Sequence, residues 1–249
     1  PLTSWHPYKA FKPQMLKKIV AEKYYSGNIH NYMGCTRNYT LSEEIWNAAT
    51  HCVGIAFSIA ALSVMVTLAA VNSDAWSIVS CSIFGASMLM VYTASSAYHA
   101  IPYEKLKPIL KKFDHIAIYY LIAGSYTPFM LVPMRSATET TAWVVFGIVW
   151  GLAILGTILK IFAGGPGTKF WSISLYLAMG WLIIFVSGKL FSVLPTSGIV
   201  FLILGGLFYT GGVVFYMKKQ WKFSHAVWHI FVLLGTVMHF FAVLFSCVV

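Results

Sequence analysis

Two histidines one helical turn apart open the last apolar stretch of the chain, in the sequence His225-Ala-Val-Trp-His229. At about 100° per residue, positions i and i+4 share one helix face, so both imidazoles can reach one metal ion. The same spacing joins Ser95 to His99 at the end of an earlier apolar stretch. Three neutral imidazoles with one open position form a catalytic zinc set, which lowers the pKa of a bound water to about 7. The sequence therefore predicts a zinc site made of His99, His225 and His229, although His99 taken alone is more typical of a hydrogen-bonding residue at the membrane interface than of a ligand.

Asp114 is the acidic residue that this chemistry would use. It is the only acid within the spans predicted below, and a charge in hydrocarbon costs several kcal/mol unless it has a partner. It could orient the water or take a proton from it. On charge grounds alone, however, the preferred interpretation is that Asp114 caps its helix or pairs with Lys111 or Lys112.

The other histidines near the apolar stretches have weaker claims to the metal. His239 lies about 15 Å further along the helix than the histidine pair, so we expect it to pack or to form a hydrogen bond. His115 points about 100° away from Asp114, which argues against a ligand role. His51 follows Asn47 by one turn, and we favour a structural network over catalysis for both.

The elements that must position these side chains are membrane spans. The chain has 249 residues, of which 59% are apolar and 10% are charged, as is typical of an integral membrane protein. Crossing a hydrocarbon core takes roughly 20 residues, and no alternating pattern of the kind found in membrane strands occurs. We predict an all-α fold with seven transmembrane helices, at residues 47–71, 76–100, 113–134, 142–162, 170–191, 197–217 and 224–249.

The 17 lysines and arginines, which give a formal net charge of +10, predict the orientation of these spans. All but Arg135 and Lys189 lie in the amino-terminal region or in the loops that follow the second, fourth and sixth spans. Because cytoplasmic loops retain basic residues, the amino terminus is predicted to be cytoplasmic and the carboxyl terminus outside. The charge excess is therefore a topology signal, and we expect no nucleic-acid partner. His99, Asp114 and the histidine pair then share one depth, in the cytoplasmic leaflet.

Residues 1–40 differ from the rest in being polar and basic. We predict a cytoplasmic leader that is partly disordered, followed by a membrane domain at residues 41–249. The leader lacks the apolar core of a cleavable signal peptide, so we expect membrane insertion to rely on the first span. Four scattered cysteines without a C-x-x-C pair argue against a disulfide framework or a thiolate zinc site.

Three motifs in this order resemble the hemolysin III branch of the progestin and adipoQ receptor (PAQR) family: SSAYH (95–99), KFDHIAIYYLIAGSYTPF (112–129) and HAVWH (225–229). Supporting matches are SEEIWNAATH (42–51), YLAMGW (176–181) and VMHF (237–240). The resemblance covers about residues 41–249 and implies seven helices around a zinc ion near the cytoplasmic face. It assigns the metal to His99, His225 and His229, a contact through water to Asp114, and the family's serine to Ser95.

The resemblance also implies a function. Relatives are linked to alkaline ceramidases, which hydrolyse amides in lipids, whereas the hemolysin name refers to cytolytic activity. We therefore expect a zinc-dependent hydrolase in a cell membrane, such as a bacterial inner membrane, acting on a lipid or acyl amide from the cytoplasmic leaflet. Asp114 would be the general base and Ser95 would position water or the substrate carbonyl. The alternatives are a receptor-like or membrane-homeostasis protein with structural zinc, and a pore-forming cytolysin. The longer soluble amino-terminal region of adiponectin receptors is not evident here, which argues against a receptor role.

Overall fold

The structure is a computed structural model that describes residues 39–162, 168–218 and 220–248. Almost all of the predicted leader lies outside these residues. Seven helices are each long and apolar enough to cross a membrane, and no strand occurs in the described part of the chain, so the predicted fold class is confirmed. The helices are α1 (Leu41–Asn72), α2 (Ala75–Ala100), α3 (Lys107–Phe129), α4 (Glu139–Phe162), α5 (Thr168–Trp181), α6 (Thr196–Met217) and α7 (Ser224–Cys247).

Two of the spans contain irregular turns. A π-helical turn at Met130–Met134 and a short helix at Arg135–Ala137 extend α3. Pro133 lies in the π-helical turn and lacks a backbone N–H, which is a common cause of a local change in helical hydrogen bonding. The span of α5 continues through a 3₁₀ turn at Leu182–Val186 and a short helix at Ser187–Phe191.

The first helix begins six residues earlier than the predicted span because its start is capped. The Thr40 hydroxyl accepts a hydrogen bond from the Glu43 N–H at 3.3 Å, and the Glu43 carboxylate accepts one from the Thr40 N–H at 3.0 Å. This capping box satisfies backbone donors that a helix start otherwise leaves unpaired. Glu43 and Glu44 therefore lie inside a helix that could span a membrane, so Asp114, the only acid in the shorter predicted spans, is not the only acid in these longer helices.

The third helix lies at the centre of the bundle. In its most apolar part 67% of the residues are buried, against 17% in the spans of α5 and α6, which therefore face the surroundings. It contacts α2, α4, α5 and α7. Because α3 follows α2 after a short connection, its first turns lie at the same end of the bundle as the last turns of α2.

Close helix contacts bring the first turns of α1 and α7 to that end as well. The first helix packs along α2 and also contacts α7, which in turn packs along α6. Glycines permit the approach, since Gly54 of α1 lies against the Tyr92 ring and Gly205 of α6 lies against the His239 ring. Small residues at helix contacts are the usual means of close packing in membranes. The ends that carry the predicted site residues are thereby gathered together.

Candidate metal centre

Three imidazoles meet where α2 ends and α7 begins. His99, His225 and His229 each offer one ligand atom, and these atoms all lie within 4.8 Å of one another. The ring of His99 lies 5.1 Å from that of His225 and 5.2 Å from that of His229, between centroids. The two α7 rings are 4.5 Å apart, as their i, i+4 spacing requires. The structure thus brings together the three histidines predicted as ligands.

The proton on His99 is placed by an acidic residue of α1. Its Nδ1 atom lies 2.5 Å from Oε2 of Glu44, and both side chains are buried. A carboxylate only accepts hydrogen bonds, so Nδ1 carries the proton and Nε2 keeps its lone pair. The amide nitrogen of Asn47 lies 3.5 Å from the same Nδ1, but both are then donors, so this contact is not a hydrogen bond. Nε2 of His99 is buried and has no hydrogen-bond partner among the residues that the structure describes.

The proton on His229 is placed in the same way. Its Nδ1 atom lies 3.0 Å from the carbonyl oxygen of Asn47 and 3.3 Å from the hydroxyl of Thr50. That hydroxyl donates to the Trp46 carbonyl at 2.9 Å, so its lone pairs face the ring. A carbonyl has no proton to give, so Nδ1 is the donor and Nε2 holds the lone pair. Both buried rings therefore have the tautomer in which Nε2 can bind a metal ion.

These observations fit a bound metal ion. The site offers three imidazole nitrogens, and the Nε2 atom of buried His99 lacks any other partner in the described chain. Imidazole donors suit zinc, copper, iron and nickel ions. Within the described residues the group contains no fourth histidine, cysteine or acid. A four-coordinate ion held by this set would have three imidazole ligands from the described residues.

The two predicted catalytic residues lie at the same end of the bundle but outside the ligand group. Ser95 is one turn before His99 on α2, and its buried hydroxyl has no hydrogen-bond partner within the described ranges. Asp114, two turns into α3, has Oδ2 3.5 Å from Nδ1 of His115. That Nδ1 donates to the Lys111 carbonyl at 2.7 Å. The structure does not place Asp114 among the ligand atoms that share the 4.8 Å limit.

The first helix supplies a polar wall behind the imidazoles, which the sequence predicts only in part. Glu44, Asn47 and His51 are buried on one face of α1, at positions i, i+3 and i+7. The network predicted from the sequence contains Asn47 and His51 but not Glu44. The sequence feature that indicates a role for Glu44 is its spacing, since an acid on the same helix face as two polar residues of an apolar span needs partners.

His239 lies away from the centre. Its ring packs against Gly205 and is edge-on to the ring of Tyr209 at 5.3 Å between centroids. It contributes no atom to the ligand group, although it is on the same helix as two of the ligands.

Comparison with known proteins gives consistent likenesses over most of the chain. Residues 39–240 match the family described as Haemolysin-III related. A hemolysin-3 homolog of Bacillus subtilis (strain 168) is 46% identical over 212 residues, which cover 84% of this chain and 97% of that protein. Hemolysin-3 of Bacillus cereus is 40% identical over 205 residues, with coverages of 82% and 92%. The monocyte to macrophage differentiation factor of Homo sapiens is 29% identical over 211 residues, with coverages of 82% and 84%.

Proposed function

This chain belongs to the haemolysin-III-related family, and on that premise we propose that it is a zinc-dependent hydrolase of amide bonds in lipids or acyl amides. The expected resemblance and the multi-pass membrane location are confirmed by these relatives and by the seven spans. The observation that supports the activity is the three-imidazole group, to which the described residues add no fourth histidine, cysteine or acid. Structural zinc sites use four protein ligands, whereas catalytic sites use three.

His99, His225 and His229 would hold the ion. When bound, zinc acts as a Lewis acid that polarises a carbonyl group and makes water a nucleophile near neutral pH. The wall on α1 holds two of the ligand rings, through the Glu44 carboxylate and the Asn47 carbonyl. Preorganised rings of this kind lose little freedom when they bind an ion.

Asp114 and Ser95 would serve the reaction itself. Water adds to the amide carbonyl carbon and the C–N bond breaks, which gives a carboxylic acid and an amine. Asp114 accepts the proton that the water loses and returns it to the departing nitrogen. Ser95 has a buried hydroxyl without a partner in the described residues, so it is free to donate a hydrogen bond to the carbonyl oxygen.

The surroundings of the site favour a substrate that partitions into lipid. The histidines lie within spanning helices, at the end of the bundle predicted to be in the cytoplasmic leaflet. A polar head at that depth would meet the imidazoles while its acyl chain stays in hydrocarbon. N-acyl lipids such as ceramides combine an amide with apolar chains and match this requirement.

The test combines metal analysis with hydrolysis by the purified full chain in lipid nanodiscs. We expect about one zinc per chain by elemental analysis and release of fatty acid from ceramide or another N-acyl lipid. His225→Ala and His229→Ala should lose zinc and hydrolysis together. Asp114→Asn should keep zinc, because Asp114 is not in the ligand group, and should lose hydrolysis.

His239→Ala is the matched control, since it removes a histidine from the same helix without touching the group. It should keep both zinc and hydrolysis. Absence of zinc from the wild type would overturn the proposal. Zinc without hydrolysis of any N-acyl lipid in a broad panel would also overturn it, and would favour a structural metal.

A further inference from the structure

We infer that Glu44 is a positioning residue of the metal centre, which holds His99 with its Nε2 lone pair toward the ion. The inference rests on the metal binding in the proposed function, but not on hydrolysis. It concerns a residue of α1, a helix that contributes no ligand to the group.

The Glu44 carboxylate is engaged at both oxygens. Oε2 lies 2.5 Å from Nδ1 of His99, and Oε1 lies 3.6 Å from Nζ of Lys107. The Glu44 side chain is only 8% exposed, and that of His99 is fully buried. Lys107 is itself held, since it donates to the Tyr98 carbonyl at 2.5 Å. One carboxylate thus links the start of α1 to the end of α2 and the start of α3.

Burying the Glu44 carboxylate costs free energy, so its presence calls for a role in the fold or in the site. An ionised carboxylate inside a spanning helix loses its hydration, and its partners only partly repay that loss. A hydrophobic residue would fill the same space without the penalty. The position of the acid is informative, because it meets the one nitrogen of His99 that must carry a proton for the other to bind a metal.

A carboxylate in this position has two effects on a ligand. It fixes the tautomer and the ring plane of His99, and its negative charge makes the distal nitrogen a better electron donor. Removing such an outer partner typically lowers metal affinity by about 10- to 100-fold. The Asn47 carbonyl plays the corresponding part for His229, but as a backbone group it cannot be removed by substitution.

A purely structural ion pair among three helices is the rival explanation, and it predicts different measurements. Loss of a structural pair would lower the stability of the metal-free protein and leave the affinity of the folded protein unchanged. Loss of a positioning residue would change the affinity and the electronic environment of the ion. Cobalt(II) reports the latter directly, because its visible absorption depends on the geometry and strength of its ligands.

The experiment uses the purified full chain and titrates zinc and cobalt(II) against a chromophoric chelator. We expect Glu44→Ala to weaken the affinity for both metals by about 10- to 100-fold and to shift the cobalt(II) absorption bands. Glu44→Gln keeps an acceptor oxygen but lacks the charge, so its loss of affinity should be smaller. Glu104→Gln, which neutralises an exposed acid at the same end of the bundle, should behave as the wild type.

If Glu44→Ala does not fold, Lys107→Met removes the partner of the carboxylate while leaving His99 and Glu44 in place. It should also shift the cobalt(II) bands. Unchanged affinity and unchanged bands in the folded Glu44 variants would overturn this inference alone, because the wild type would still bind metal. A wild type that binds neither metal would overturn the proposed function as well. Metal binding without hydrolysis would overturn only the proposed function.

Discussion

The imidazole rings of His51 and His229 are stacked, with their centroids 3.6 Å apart and their planes inclined by 19°. The His51 ring also meets the Tyr92 ring edge-on at 5.0 Å. A candidate ligand on α7 is thus held by a ring on α1, which is in turn held by a ring on α2. Neither nitrogen of His51 has a hydrogen-bond partner in the part of the chain that is described, so its visible role is that of a flat surface.

Two substitutions at His51 distinguish the contribution of its flat ring from that of its ring nitrogens. His51→Phe keeps a flat ring against His229, so we expect zinc affinity close to that of the wild type. His51→Ala removes the surface and lets the ligand ring rotate, which should lower the affinity roughly tenfold. Chelator competition measures both. An equal loss in the two variants would show that a ring nitrogen, and not the stack, supports the site.

The contact between Gly205 and His239 predicts the tolerance of α6 to substitution. A methyl group at Gly205 would overlap the His239 ring and lie 3.1 Å from the Gly235 carbonyl oxygen, so α6 and α7 would have to separate. We expect Gly205→Ala to destabilise the protein by about 1–3 kcal/mol, measured by unfolding in detergent. Gly206→Ala is the matched control, because nothing lies within 4 Å of its added methyl group. Equal stabilities of the two variants would contradict this account of the helix contact.

A hydroxyl network in the middle of the bundle predicts a smaller loss of stability than the substitution at Gly205. The Tyr92 hydroxyl donates to the Thr236 hydroxyl at 2.6 Å, and the Tyr209 hydroxyl is 2.8 Å from the same oxygen. Tyr92→Phe should cost about 0.5–1.5 kcal/mol of stability, because Thr236 keeps its other partners. Zinc affinity should not change. Tyr103→Phe, at an exposed position, is the control for loss of a phenol. A larger loss of zinc affinity than of stability would mean that the network acts on the metal centre.

The orientation of the spans stays a prediction from the distribution of basic residues. Fusion of a phosphatase after Val248 should give activity, since that end of α7 is expected outside, where the enzyme can form its disulfides. A fusion after Lys218, between α6 and α7, should be inactive, and a fluorescent protein there should fluoresce. The reverse pattern would show that the topology is opposite to the predicted one and that the histidines lie in the outer leaflet.

Helix boundaries illustrate how far local sequence signals reach. The third helix begins at Lys107, six residues before the predicted span, because Pro108 in its first turn suits a helix start while the lysines there lower the apolarity. At α1 the capping box at Thr40 had the same effect. Hydropathy therefore located the spanning helices, whereas the capping box at Thr40 and the proline at position 108 decided where α1 and α3 begin.

The sequence by itself determined the number of helices, the spacing of the α7 histidines and the choice of His99, His225 and His229 as a candidate set. These depend on hydropathy and helical periodicity, which are local properties. Only the tertiary structure decided that Glu44, Asn47 and His51 stand behind the set, that Nδ1 of both buried ligands carries the proton, and that Asp114 lies outside the group. Those outcomes depend on distances of a few ångströms between side chains of different helices. Such distances are fixed by how closely the helices pack, which no single segment encodes.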